Sequence, residues 1–112
     1  MGRGRQAGVT GRFGIAVVRG RSMEPGLRDG DRVLVRYDVP VGPGDVVVAR
    51  FVDGTLVVKR VDGARQTRSG DPGWWLLSDN PGEGIDSRHR GVVPAEAVLG
   101  VVRRRVWPIL RR

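Results

Sequence analysis

Cysteine is absent from this chain. Disulfides, thiolate metal sites and a cysteine nucleophile are therefore excluded, and nothing demands an oxidising compartment, so the cytoplasm is the expected location. Histidine is almost as scarce. His89 is the only one, so a metal site built from several imidazoles is impossible, and a Ser-His-Asp triad would have to run through that ring. Long apolar runs are also missing. No stretch approaches the roughly 18–20 apolar residues of a transmembrane helix. The apolar segment from Phe13 to Val18, behind a basic N-terminus, is too short for a signal peptide. A soluble chain without a membrane anchor is expected. Aromatic residues are few, at 5%. The net charge of +8 therefore reads as a basic, solvated surface, with no nucleic-acid partner expected.

Glycine (18) and proline (7) are abundant among the 112 residues. This punctuation suits short strands and tight turns within one domain. The reading is a flexible basic arm over 1–11, a domain over 12–107 and a basic tail over 108–112. The stretch from Arg103 to Arg112 mixes five arginines with Trp107, Ile109 and Leu110, a composition able to rest peripherally on a membrane surface. Within the domain, strands are predicted over 13–19, 32–37, 46–52, 55–61, 74–77 and 100–107. Asp53-Gly54 gives a hairpin turn between two apolar runs. Residues 62–73, polar and glycine-rich, read as a loop. Residues 92–99 leave room for one helical turn. The fold class is mostly β: a compact, antiparallel single domain.

A further scarcity is the most informative. Lys59 is the only lysine among 20 basic residues, and it lies in an apolar strand. Arginine stays protonated, whereas a buried lysine can lose its proton. A free lysine is neutral in roughly one molecule in 2,500 at pH 7. Burial can lower the pKa by up to about 3–5 units, towards the range where a general base works. Alternation puts Lys59 on the same strand face as Val57 and Val61. The partner such an amine needs is a hydroxyl, and the chain offers Ser22, Ser69, Ser78 and Ser87. Ser22 precedes a turn stiffened by Pro25, and Gly20 before it permits close approach of a substrate chain. Backbone N–H groups around it offer an oxyanion site.

Three segments resemble the boxes of the signal peptidase I family. Gly20-x-Ser-Met-x-Pro-x-Leu-x-x-Gly-Asp31 is similar to its nucleophile box, and Val58-Lys59-Arg60-Val61 to its general-base box. Ser78-Asp79-Asn80 with Asp86-Ser87-Arg88 and Gly91-x-Val93-Pro94 resembles its third box. The resemblance implies a compact signal-peptidase or LexA-like β fold and a Ser-Lys endopeptidase without cofactor or metal. It implies that Ser22 is the nucleophile, Lys59 the general base and Met23 a pocket-lining residue, with Asp86 and Arg88 paired to brace the wall. The chain departs from the pattern at three places. Ser78 stands where glycine is usual, Gly84 where many members carry a serine that orients the lysine, and Gly20 where some carry an oxyanion-hole serine. No side chain is therefore assigned to orient Lys59; Ser87 has no specific support for that role.

The short length and the Ser-Asp-Asn-Pro wording most resemble the branch that matures nickel-type superoxide dismutase. That implies a protein substrate with an N-terminal propeptide. Two other readings are a LexA-like self-cleaving domain, for which Ala7-Gly8 would be the bond cut, and a basic β-barrel using Trp74, Trp75 and Trp107 as nucleic-acid stacking platforms.

Overall fold

The computed structural model describes residues 12–110, so the expected arm over 1–11, with its Ala7-Gly8 bond, and the last two arginines lie outside the described residues. The chain forms β1 (Phe13–Val17), β2 (Arg32–Tyr37), β3 (Val46–Arg50), β4 (Leu56–Gln66), β5 (Pro72–Leu77), a one-turn helix α1 (Ser87–Arg90), β6 (Val93–Pro94), a 3-10 turn over Ala95–Ala97 and β7 (Val98–Trp107). Each strand follows a valine-rich or aromatic run, and the glycines of positive φ lie in the connections. The Asp53-Gly54 hairpin forms as the sequence indicates: Gly54 has φ +90° and Thr55 N–H bonds to Asp53 Oδ1 at 2.9 Å.

All seven strands join one sheet in the order β1-β2-β7-β3-β4-β5-β6, and every pairing is antiparallel. Strand β7 enters the middle of the order, between β2 and β3, and so ties the two halves together. Val47, Ala49, Phe51, Val61, Leu76, Val93 and Val101 form one buried cluster, and Val18, Val33, Val35 and Val48 a second. Strand β3 contributes Val47 and Ala49 to the first cluster and Val48 to the second, so both its faces are covered and it has little polar alternation. Gly100 shows how closely β7 packs. A Cβ there would lie 2.6 Å from Val35 Cγ1 and 2.9 Å from the Arg36 carbonyl oxygen.

The structure corrects one sequence expectation. Residues 62–73 are not a single loop. Strand β4 runs on to Gln66 and pairs with β5 from Pro72, leaving a connection of 67–71. A register shift between Val61 and Gly63 marks a bulge at Asp62, beyond which the hairpin projects from the core. Its side chains are mostly wet, so the hydrophobic alternation that signals a strand is missing there although the ladder persists. Trp74 packs against the first core cluster. Among the described residues, no helix is long and apolar enough to cross a membrane.

Candidate active site

Strand β4 supplies the lysine. Its alternation sends Lys59 and Val61 inward, at 3% and 1% exposure, and turns Arg60 outward. Lys59 stands opposite Val47 in the ladder, so apolar side chains flank its stem. Burial pushes the amine pKa down from its ordinary value, helped by the positive charge of Arg88; the charge of Asp86 opposes the shift. A lysine so placed is biased towards the neutral, basic form.

The turn after β1 supplies the hydroxyl. Gly30 N–H bonds to the Val18 carbonyl and Val18 N–H to the Asp31 carbonyl, both at 2.8 Å, which closes the loop over 18–31 at its neck. Inside that loop Gly20 adopts φ +80° and donates its N–H to Asp29 Oδ1 at 2.7 Å. Ser22 and Met23 are carried into the interior. Ser22 Oγ lies 2.9 Å from Lys59 Nζ, although 37 residues separate the two in sequence.

The third segment locks this arrangement. Asn80 N–H donates to the Ser22 carbonyl at 2.8 Å, and Asn80 Nδ2 to the Arg21 carbonyl at 3.1 Å. Asp79 N–H points to Met23 Sδ at 3.5 Å. Met23 therefore sits beneath the turn as a buried anchor, on the side away from the cleft that holds the dyad. Asp79 also grips Arg60 through both carboxylate oxygens, each at 2.8 Å, and Arg60 reaches the Gly44 carbonyl at 2.7 Å.

Asp86 is fully buried. Its Oδ2 accepts from Ser78 N–H and Arg88 Nη2, both at 2.9 Å, and its Oδ1 from Arg88 N–H at 3.0 Å and Nε at 3.1 Å. Burial by itself raises a carboxyl pKa. Here the Arg88 guanidinium and the Ser78 and Arg88 amides outweigh it and hold Asp86 well below the usual carboxylate range. Arg88 continues to the Pro81 carbonyl at 2.8 Å, and His89 Nδ1 accepts from Asp86 N–H at 3.2 Å. The pair thus fixes the backbone of Ser78 and the loop over 81–86.

That backbone positions a residue to which the sequence reading gave no role. Ser78 Oγ lies 3.1 Å from Lys59 Nζ and is buried with it. Ser87, by contrast, faces away and accepts from Leu76 N–H at 2.9 Å. Gly84 touches the dyad with its backbone: a Cβ there would lie 2.9 Å from Ser22 Cβ and 3.3 Å from Lys59 Nζ, and φ is +74°. The signals for Ser78 were its place at the head of the third box and its departure from glycine. Read singly, they pointed to no contact. The dyad opens into a cleft of about 710 Å³ whose walls include Ile15 and Val17 of β1 and Leu56 and Val57 of β4, with Gly20 at its margin.

Comparison with known proteins decides the family. The model of the Peptidase S24-like family matches residues 9–92. The chain belongs to the Peptidase S24-like family. A relative in Xenopus tropicalis, mitochondrial inner membrane protease subunit 1, is 30% identical over 116 residues, covering 85% of this chain and 70% of that protein. The S24-like chain is thus a signal-peptidase-like serine peptidase at the level of family, and the mostly β architecture with its antiparallel sheet agrees with that membership. The family implies a protein substrate, and the open cleft beside Ser22 suits an extended chain.

Proposed function

We propose that this S24-like peptidase is an endopeptidase in which Ser22 is the nucleophile and Lys59 the general base. The observation that carries the reading is the 2.9 Å approach of Ser22 Oγ to an amine that burial biases towards neutrality. A neutral amine has two N–H bonds and one lone pair. Ser78 Oγ accepts one N–H, which turns the lone pair towards the Ser22 hydroxyl. Ser22 Oγ attacks the scissile carbonyl as its proton passes to Lys59 Nζ. The tetrahedral intermediate collapses, and the ammonium returns the proton to the leaving amine. Water activated by the same lysine then releases the acyl group from Ser22. Asp86 and Arg88 act at one remove by holding Ser78.

We propose further that the substrate is a protein bearing an N-terminal leader or propeptide, specifically a nickel-type superoxide dismutase precursor processed in the cytoplasm. The third-box wording supports this substrate, and the name of the Xenopus relative, a protease subunit, agrees with proteolytic processing in general. Co-expression with such a precursor tests it, with the mature N-terminus read by mass spectrometry. The expected result is a single new N-terminus that disappears with Ser22→Ala. A precursor left intact beside active, folded peptidase would remove this substrate while leaving the dyad reading open to peptide assays.

A further inference from the structure

The cleft lies on one side of the nucleophile turn, and a second depression of about 390 Å³ lies on the other. Met23 and Leu27 of the turn form one wall, Arg60 and Asp79 another, and residues 103–105 of β7 the third. Alternation sends neighbouring side chains of a strand to opposite faces, so Arg104, opposite Leu34, and Arg105, opposite Val33, point apart. Here Val35 pairs with Val102 and Leu34 with Arg104, so Arg103 is the extra residue of a bulge. Bulges of this kind re-aim side chains.

Positive charge outnumbers negative in this depression, which four arginines and two aspartates, Asp45 and Asp79, line. Asp79 is already engaged by Arg60 through both oxygens, and Asp45 accepts from Gly42 N–H at 2.9 Å. Among the described residues, Arg103, Arg104 and Arg105 form no ion pair with a carboxylate. Arg105 is partly buried, and its Nη1 is a buried donor without an acceptor among those residues. Buried donors and charges are normally satisfied. A guanidinium that lacks a carboxylate matches the geometry of a tetrahedral oxyanion.

We propose that this depression binds a phosphate-class oxyanion, held by Arg105 and the bulge residue Arg103 with Arg60 opposite. The bound anion bridges β7 to β4 and to the back of the nucleophile turn, and so stabilises the folded chain. The site is separate from the dyad and does not depend on how Ser22 and Lys59 act.

The test is thermal unfolding of the full chain in inorganic phosphate and in tripolyphosphate, against sodium chloride at equal ionic strength. The expected result is a saturable rise in Tm with the oxyanions, about 5 °C at ten times the dissociation constant. Arg103→Gln with Arg105→Gln should abolish it. Because Arg105 is partly buried, a second variant, Arg103→Gln alone, changes an exposed side chain only and should weaken binding at least about tenfold. Vesicles separate the two sources of such a group. A response to soluble phosphate assigns a free oxyanion. Sedimentation with phosphatidic acid vesicles but not phosphatidylcholine vesicles, lost in the same variants and without a response to soluble phosphate, assigns a headgroup phosphate. An equal rise in chloride with no vesicle binding, or oxyanion binding that persists in both variants, overturns the proposal.

Discussion

At the residue scale, the site depends on the protonation and orientation of one amine. Lys59→Arg keeps a positive charge at the position but removes the group able to become neutral. Cleavage should fall to background in a peptide assay, while circular dichroism shows the strand content retained. In the wild type the lowered pKa of Lys59 sets the sign of the pH profile: kcat/KM rises with pH through an ionisation displaced below the ordinary lysine value of 10.5. An ascending limb centred at or above 10.5 would refute a pre-formed neutral lysine. Ser78→Ala removes the acceptor that orients Nζ. The expected loss is about ten- to a hundred-fold in kcat with little change in KM, corresponding to one hydrogen bond to a charged or polarised group. Gly84→Ala should also reduce kcat, because its Cβ would press on Ser22 Cβ at 2.9 Å from a backbone of positive φ.

At the element scale, the segment from Ser78 to Arg90 contains little apolar core and is held by polar contacts. Asp86 is its centre. Its folded-state pKa lies below the unfolded value of 3.8, so its contribution to stability is present above that value and is lost as pH falls below it. Asp86→Asn should therefore destabilise the protein at pH 7 by about 2–3 kcal/mol, discounted from a fully buried pair because Arg88 is partly exposed. The gap between variant and wild type should narrow as unfolding is followed from pH 5 towards pH 2. A gap of constant size over that range would mean that the carboxylate charge is not what braces the segment. Strand β7 offers a contrasting case of steric control. Gly100→Ala forces a Cβ against Val35 and the Arg36 carbonyl, and overpacking at such a site costs about 1–3 kcal/mol, measurable as a lower urea midpoint.

At the scale of the whole molecule, the dyad is a product of the sheet. Ser22 comes from the turn after an edge strand, Lys59 from β4 and Ser78 from the end of β5, and the three meet only when β7 joins the two halves. No part of the site has a private core. Activity and global structure should therefore be lost together: in urea, peptide cleavage and the fluorescence of Trp74 and Trp75 should share one midpoint. Cleavage lost well before the tryptophan signal would show that the third segment opens independently.

Much of this was legible in the chain itself. The strand over 46–50 is visible as an apolar run because both of its faces are covered, and that over 32–37 by the alternation of its buried Val33 and Val35. The hairpin at Asp53-Gly54 follows from turn chemistry. Lys59 stands out because a basic chain used arginine everywhere else, and the three boxes give Ser22, Asp86 and Arg88 their setting in order. Hydrophobic pattern reports burial and not pairing, so the wet extension of β4 beyond Val61 read as a loop. The roles of Ser78, Asn80 and Gly84 depend on distances of a few ångströms between segments far apart in sequence. Such distances are set by the curvature and bulges of the sheet, which residue types do not encode one at a time. The sequence determined which lysine and which turn serine were candidates, because residue type and burial pattern are local properties; the tertiary fold decided that the two lie 2.9 Å apart with Ser78 on the other side of the amine.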